Sequence, residues 1–442
     1  MTLPPRLSRR TMLSAAVVAT AGGLGAAGAP RLRSGGSAVG QNRPRETISV
    51  LTATAPDPVP PGADSYYEAL VQAWERRNGA RILSEAVAIQ TMGAKLELNF
   101  YAGRHLYDVV YSAGWLPTLS HSLSPLEDLI PPEIRADIAP DSFNAVRWDG
   151  SEFGVPYSAN LVILYVNRAM LAAAGIAGAP ATWDELLGSA RELTRDGVAG
   201  LALPFGQLEG IGGLTSHWIL LLQQAGGRLL DERGQPDFVV SAGVDALQLL
   251  VDLAPTLDPF ALGDRHIDDV IVSFMQGRAA MMMTWASAYP LLTDPTLSTV
   301  AADVGMATLP AGPAGSASID AGDAWAIERR TRVMGTSMSL IELYLDRRAQ
   351  RQLCLTTGAL PVRLSVLEDP EVIAAAPQAA VVREQMRSPY DNFLTPDYPV
   401  VTAVIGAEIA EAMRLSKTPG QALRDAADAL RGLARGASAG IS

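Results

Sequence analysis

Cysteine and histidine are scarce in this chain of 442 residues. The one cysteine, Cys354, lies in an apolar run typical of an inert buried thiol, and no disulfide can form within the chain. The four histidines are too scattered for a credible metal site. Motifs for a nucleophile elbow, a zinc protease, a phosphate-binding loop or paired cysteine ligands are also missing. The sequence therefore predicts no catalytic residue, no metal and no cofactor.

Acidic side chains are missing before Glu46, whereas seven of the 35 basic residues lie in that stretch. The remaining chain carries 28 basic and 46 acidic side chains, a net charge of −18 with histidine neutral. Nucleic acids and anionic membrane surfaces are recognised by basic patches. We therefore expect neither of them as a partner.

The basic leader has the layout of an export signal. Arg9 and Arg10 precede a weakly apolar run over residues 14–28, made mostly of Ala, Gly and Val. This pattern resembles a twin-arginine signal, and the run is too short and too rich in glycine for a good membrane helix. We expect residues 1–45 to be an export signal and linker. The protein should then act in the periplasm, or outside the cytoplasm in association with the cell envelope.

The chain is too long for a single hydrophobic core, so two domains are expected. From residue 47 to residue 111, strand and helix patterns alternate, which is typical of a mainly parallel sheet with helices on both faces. In such sheets, ligands lie beyond the carboxyl ends of the strands. Asp57 and the stretch from Ser112 to Trp115 are therefore candidate ligand residues.

A second α/β pattern begins after Gly154-Val155-Pro156-Tyr157. The apolar run over residues 161–167 predicts a strand buried on both faces, which carries the chain from one lobe to the next. Thr182 with Glu185 forms a capping box at a helix start. Further patterns predict helices over 214–224 and 241–253 and a strand over 279–285. A cleft between the lobes should lie beside the crossing stretch, next to Tyr157.

Three tryptophans, Trp115, Trp285 and Trp325, fall at predicted strand ends or on loops. Aromatic rings pack against the apolar faces of sugars, while carboxylates and amides pair with the hydroxyl groups. The positions therefore favour a neutral sugar or polyol as ligand. The competing interpretation is that tryptophans at strand ends belong to the core of a lobe.

Nine short segments after the leader have the order and spacing of one known family. They are Tyr107-Asp108-Val109-Val110, Trp115-Leu116-Pro117, Leu126-Glu127-Asp128-Leu129, Gly154-Val155-Pro156-Tyr157, Leu164-Tyr165-Val166-Asn167, Thr182-Trp183-Asp184-Glu185-Leu186, Gly277-Arg278-Ala279-Ala280-Met281, Gly322-Asp323-Ala324-Trp325-Ala326-Ile327 and Leu360-Pro361-Val362-Arg363. Together they resemble the family 1 extracellular solute-binding proteins, the sugar receptors of ABC importers.

The resemblance implies a type II periplasmic-binding-protein fold, with two α/β lobes, each a mainly parallel sheet flanked by helices. The lobes are joined by a hinge of crossing segments and close on ligand, a motion for which periplasmic binding proteins are the usual example. Lobe 1 would comprise residues 46–156 and 317–365, and lobe 2 residues 157–316 and 366–442. The implied function is that a monomer captures a mono- or oligosaccharide or a related polyol and delivers it to an ABC permease.

Two alternatives stay open at this point. One is a glycerophosphodiester receptor of the same fold, which would use Arg363 and helix N-termini against phosphate. The other is an extracellular glycoside hydrolase, whose facing carboxylates a sequence can neither show nor exclude.

The resemblance also implies ligand residues, with two departures from the family pattern. Asn160 stands where family members often carry an acidic residue, and Asp323 adds a carboxylate to a turn that is commonly Gly-Gly-Trp-Gly. The hydroxyl pattern of the solute, or an amino group on it, should differ accordingly. The complete predicted site comprises Asp57, Ser112, Trp115, Tyr157, Asn160, Glu209, Trp285, Gly322, Asp323, Trp325 and Arg363.

Overall fold

The computed structural model describes residues 46–52, 66–87, 89–101, 103, 105–112, 116–203, 213–258, 267–391 and 398–439. The predicted export signal and linker over residues 1–45 lie outside the described residues and stay predictions. Within the ranges just given, no helix combines the length and the apolar character that a membrane crossing requires.

The strands of the described residues form two main sheets and two short pairs. They are β1 Glu46–Thr52, β2 Ala80–Ala86, β3 Val109–Ser112, β4 Arg147–Trp148, β5 Ser151–Glu152, β6 Val155–Pro156, β7 Val162–Asn167, β8 Ala199–Ala202, β9 Ala279–Trp285, β10 Val304–Ala307, β11 Ser318–Ile319, β12 Ala324–Ile327 and β13 Tyr390–Asp391. The first sheet has the order β2-β1-β3-β12-β6, and the second has the order β10-β7-β9-β8. The short pairs are β4 with β5 and β11 with β13.

Helices flank both sheets. They are α1 Tyr66–Asn78, α2 Ile89–Tyr101, α3 Leu116–Leu119, α4 Pro132–Arg135, α5 Arg168–Ala173, α6 Trp183–Leu193, α7 Leu214–Gln224, α8 Ser241–Leu253, α9 Ile267–Met275, α10 Tyr289–Leu292, α11 Met334–Tyr344, α12 Arg347–Thr357, α13 Leu364–Leu367, α14 Pro370–Ala375, α15 Gln378–Gln385, α16 Tyr398–Met413 and α17 Pro419–Ala439. The predicted capping box opens α6: Thr182 Oγ1 accepts from the Glu185 N–H, and the Glu185 carboxylate accepts from the Ala181 N–H.

Three buried clusters hold the sheets, and each is named here after one member. The Trp325 core surrounds the first sheet, and it includes Trp74 of α1 and Met92 of α2. The Trp218 core covers one face of the second sheet, and the Phe274 core covers the other. Every residue of β7 is buried, and successive side chains alternate between these two cores, as period-two geometry requires. The prediction of a strand buried on both faces is therefore confirmed.

The expectation that each sheet is mainly parallel is wrong. The first sheet has two parallel and two antiparallel pairings, and the second has one parallel and two antiparallel pairings. The antiparallel pairings belong to β12 and β7. β7 follows β6 of the first sheet, and β12 follows β10 of the second sheet by way of β11. Because both strands begin at the junction between the sheets, they run against neighbours that end there. The predicted lobe boundaries, at residues 156/157, 316/317 and 365/366, stay a prediction.

Candidate functional site at the junction of the two sheets

Three chain segments cross between the sheets side by side. The first crossing is residues 157–161, the second is residues 320–323, and the third is residues 360–363. The first lies in the middle, since Tyr157 N–H donates to the Asp323 carbonyl at 2.8 Å and Ala159 N–H donates to the Leu360 carbonyl at 3.3 Å. Isolated bridges join Ser158 to Pro361 and residue 161 to residue 320. The junction is therefore a ribbon of hydrogen-bonded backbone.

Asp323, on the second crossing, holds the central carboxylate of this junction. Tyr111, from the carboxyl-terminal half of β3, donates its phenolic hydrogen to Oδ1. Ser158, on the first crossing, donates its hydroxyl hydrogen to Oδ2 at 2.5 Å. Burial raises the pKa of Asp323, and the two hydroxyl donors offset only part of that rise. Each carboxylate oxygen thus accepts one neutral hydroxyl and retains a lone pair for a further donor.

Four aromatic rings pack beside this carboxylate. Trp325 meets Tyr111 and Tyr157 edge to face, with centroids 5.9 and 5.5 Å apart, and it lies 4.9 Å from the Tyr344 ring. Trp325 is 3% exposed, whereas Tyr157 is half-buried. In the described part of the structure, the Trp325 indole Nε1 has no hydrogen-bond partner. This placement favours the competing interpretation of Trp325 as core and leaves Tyr157 as the ring at the edge.

Trp285 and Asn160 line the other side of the junction. Trp285 is half-buried at the carboxyl end of β9, opposite Val162 at the start of β7. Asn160 is also half-buried, and its Oδ1 accepts from the Ser287 N–H at 3.2 Å. Its carbonyl accepts from the Ala321 N–H at 3.0 Å. Asn160 therefore ties the first crossing to the second and to the segment that follows β9.

Asp320 is a second carboxyl group in the second crossing, and it is 3% exposed. Burial raises its pKa to about 8, and the negative charges of Asp323 and Asp391 add to the rise. The N–H of Gly322 donates to Asp320 Oδ1 at 2.8 Å and lowers the pKa in part. Gly322 adopts φ +74°, in the left-handed region, which glycine adopts without steric cost because it has no Cβ.

Arg363 has a structural place in the third crossing. It is 4% exposed, and its Nε donates to Asp137 Oδ2 at 2.8 Å. Its remaining nitrogens donate to the carbonyls of Leu345 and Glu133, at 3.2 and 3.3 Å. Because the guanidinium hydrogen-bonds to these groups, the placement favours a fold-stabilising role.

Ser112, another predicted ligand residue, is also buried, at the end of β3 opposite Ala324.

Of the predicted residues, the structure thus brings Tyr157, Asn160, Gly322 and Asp323 together at the crossings, with Trp285 flanking them. Asp57, Trp115 and Glu209 lie outside the described residues. Sequence reasoning missed Tyr111, Ser158 and Asp320. Tyr111 closes the aromatic-flanked strand predicted over residues 107–111, and that position offered the available clue. Among the described residues, no group of His, Cys, Asp and Glu has the arrangement of a metal site.

Comparison with known families identifies the chain. The family described as bacterial extracellular solute-binding protein matches residues 69–381, which is 313 of 442 residues. The chain belongs to the bacterial extracellular solute-binding proteins. The family membership that the nine segments implied is confirmed, and with it the expectation of a receptor that works outside the cytoplasm.

One relative of this solute-binding protein is the probable amino-acid ABC transporter periplasmic-binding protein y4oP of Sinorhizobium fredii. The two are 27% identical over 343 residues, which is 75% of this chain and 77% of the relative.

Solved structures of other proteins share the fold of this chain. Maltose-bound MalE3 of T. maritima has a TM-score of 0.72 at 22% identity, over 88% of this chain and 99% of that one. A solute-binding protein of Agrobacterium radiobacter K84 in complex with ribitol has a TM-score of 0.70 at 22% identity, over 88% and 98%. The two-lobe fold of maltose-binding proteins is therefore confirmed for this solute-binding protein.

Proposed function

We propose that this solute-binding protein captures a neutral carbohydrate, either a mono- or oligosaccharide or a related polyol, where its two lobes meet. The observation that carries the proposal is Asp323, a carboxylate held by two neutral hydroxyls at the crossings. The half-buried ring of Tyr157 lies near Asp323, and half-buried Trp285 lies at the end of β9, opposite the residue that follows the first crossing. A carboxylate accepts hydrogen bonds from sugar hydroxyls, and aromatic rings pack against the apolar sugar face. The maltose and ribitol complexes of the similar structures support this solute class.

The charges around the junction favour a neutral solute over a glycerophosphodiester. Asp323 and Asp391 both act electrostatically on Asp320, so three carboxyl groups are coupled here. A phosphate needs cationic or N–H donors, and the guanidinium of Arg363 is taken up by Asp137 and two carbonyls. An ionised Asp323 carboxylate would repel the negative charge of a phosphodiester.

The wider function that we propose follows the family. The lobes close on the solute, and the loaded receptor, acting as a monomer, delivers it to an ABC permease. We further propose export by the twin-arginine-type leader, a periplasmic or envelope-associated location, and the absence of enzymatic activity. The family and the similar structures are transport binding proteins, which supports this last point.

Isothermal calorimetry on the purified protein tests the solute class. The panel contains maltose, ribitol, D-mannitol, glycerophosphocholine and L-glutamine, with chromogenic glycosides in a parallel turnover assay. We expect 1:1 binding of a sugar or polyol, and a thermal shift in the same sample. A solute at about one hundred times its Kd stabilises the folded state by about 2.7 kcal/mol. Binding confined to glycerophosphocholine or glutamine, or turnover of a glycoside, would overturn the proposal.

A matched pair of variants tests the site. Asp323→Asn keeps the side-chain volume but removes the charge, and a hydrogen bond to a charged group contributes about 1.5–3 kcal/mol, so affinity should fall roughly 10- to 150-fold. Asp258→Asn is the control, because Asp258 is 5% exposed and also accepts from a serine hydroxyl, that of Ser273. Equal affinity of the Asp323 variant and the parent would remove Asp323 from the site.

A further inference from the structure

Gln350 contacts two of the three crossings through one side chain. Its Nε2 donates to the Tyr157 carbonyl of the first crossing at 2.8 Å. Its Oε1 accepts from the N–H groups of Val362 and Arg363 in the third crossing, at 3.1 and 3.2 Å. Gln350 is 2% exposed, so water cannot readily replace these bonds.

The helix that carries Gln350 spans the junction. Near its start, Ala349 belongs to the Trp325 core, and one turn after Gln350, Cys354 belongs to the Phe274 core. The helix start is fixed, because the Asp346 carboxylate accepts from two N–H groups of the first turn and Arg347 pairs with Asp137 at 3.0 Å. Gln350 therefore extends from a helix whose start is fixed, and it contacts the backbone of the crossings that link the two sheets.

Side chains of Ser158 and Asp323 join the first crossing to the second, whereas backbone contacts join the first crossing to the third. Tyr157 is held through backbone bonds to Asp323 and to Gln350, and the third crossing meets the first at the Ser158–Pro361 bridge and the Ala159–Leu360 bond. Rotation of one lobe against the other must change φ and ψ in these segments. A side chain bonded to both segments limits which of those changes keep its bonds.

We propose that Gln350 is a positioning residue that sets the relative orientation of the two lobes, and through Tyr157 the geometry of the solute site. Its amide bonds to the first and third crossings restrict the hinge to a narrow range of angles. With Gln350 in place, the ligand-free receptor is preorganised, and capture of the solute requires little additional ordering.

A control variant separates a positioning role of Gln350 from a purely structural one, because only a positioning role predicts a changed distance between the lobes. Gln385 provides the matched control, because it is also fully buried and its amide also makes bonds at both ends. Its Oε1 accepts from the Leu309 N–H at 2.7 Å, and its Nε2 donates to Ser316 Oγ at 3.2 Å. Those partners lie outside the three crossings. Gln350→Met and Gln385→Met each remove the hydrogen bonds of one buried amide at similar side-chain volume.

The experiment measures the distance between spin labels on the two lobes in the ligand-free protein. Asp128→Cys and Glu192→Cys supply exposed labelling positions, and Cys354 is buried. We expect Gln350→Met to broaden the distance distribution and Gln385→Met to leave it as in the parent. Gln350→Glu keeps the acceptor oxygen but loses the donor when ionised. The width of its distance distribution should lie between those of Gln350→Met and the parent, and this variant replaces Gln350→Met if the Met variant does not fold. Unchanged distances in both Gln350 variants, or equal broadening in the control, would overturn the proposal.

A second readout is affinity for the tightest-binding sugar or polyol of the calorimetry panel, and this part rests on the proposed function. If the competent fraction of the receptor falls to about one tenth, the apparent Kd rises about tenfold. We expect that rise for Gln350→Met and not for Gln385→Met. If no panel compound binds the parent, the proposed solute class fails, and the ligand-free distances alone decide the role of Gln350.

Discussion

Tyr111 and Asp323 are 212 positions apart in the sequence, and the phenol of the first donates its hydrogen to the carboxylate of the second. The bond joins the carboxyl-terminal half of β3 to the second crossing. It therefore fixes the central carboxylate of the junction to the first sheet. Burial raises the pKa of Tyr111 well above its usual value, and the adjacent charge of Asp323 adds to this, so the phenol stays a donor.

The first prediction concerns this bond. Tyr111→Phe should lower the free energy of unfolding by about 1.5–3 kcal/mol, because the half-buried Asp323 carboxylate loses a donor. Urea unfolding of Tyr111→Phe, Asp323→Asn and the double variant gives the interaction energy as a double-mutant cycle. An interaction energy near zero would contradict the direct bond.

The second prediction separates two tryptophans that the sequence treats alike. Trp325→Ala should lower the free energy of unfolding by about 3–5 kcal/mol, because Trp325 is 3% exposed and lies in the core of the first sheet. Trp285→Ala should unfold at a urea concentration closer to that of the parent and lose solute affinity, because its ring is half-buried at the junction. Urea unfolding and calorimetry measure the two effects. A Trp325 variant as stable as the parent would show that the ring is not core.

The third prediction is a pH dependence that arises from Asp320. Its pKa in the folded protein is about 8, above the ordinary value of 3.8, so between these values the folded state holds a proton that the unfolded chain releases. The free energy of unfolding therefore falls as the pH rises across this window and levels off above it. One such proton contributes a slope of about 1.4 kcal/mol per pH unit.

Asp320→Asn removes this titration and keeps an oxygen that can accept from the Gly322 N–H. Subtracting the variant's pH profile from that of the parent, from pH 5 to pH 9, should leave the Asp320 slope alone. The groups that share its environment are Asp323, Asp391, Tyr390 and Tyr111. Parallel profiles of parent and variant would show that Asp320 is ionised in the fold.

The fourth prediction concerns Arg363. Arg363→Met should cost about 3 kcal/mol of folding stability, because it leaves the mostly buried carboxylate of Asp137 without its buried cation. Solute affinity of the folded fraction should stay near that of the parent. Chemical denaturation and calorimetry together make the comparison. A large loss of affinity with intact stability would instead support the ligand role that the family resemblance implied.

The ion pair between Asp137 and Arg363 should also make folding stability depend on pH in the acid range. Burial raises its pKa, but bonds from Ser365, Arg363 and Arg347 outweigh burial and lower the pKa to about 2. Since the unfolded chain takes up this proton near pH 4, the contribution of Asp137 to stability is lost as the pH falls from about 4 to about 2. Arg363→Met should weaken that acid dependence.

Local sequence patterns were sufficient for the elements and for the family. The predicted helices over 214–224 and 241–253 and the predicted strand over 279–285 have those bounds in the structure. Side-chain periodicity and capping are set by neighbours within a few positions, so a sequence displays them directly. The two-sided burial of β7 followed in the same way from its unbroken apolar run.

Tertiary structure alone decided strand direction and the partners at the junction. β7 and β12 run antiparallel to their neighbours because each enters its sheet from the other one. Asp323 meets Ser158 across 165 positions, and Arg363 meets Asp137 across 226. A predicted ligand such as Arg363 and a predicted ligand such as Asp323 look equally polar in the sequence. What separates them is whether distant groups already satisfy the charge, and that follows only from the folded arrangement of the chain.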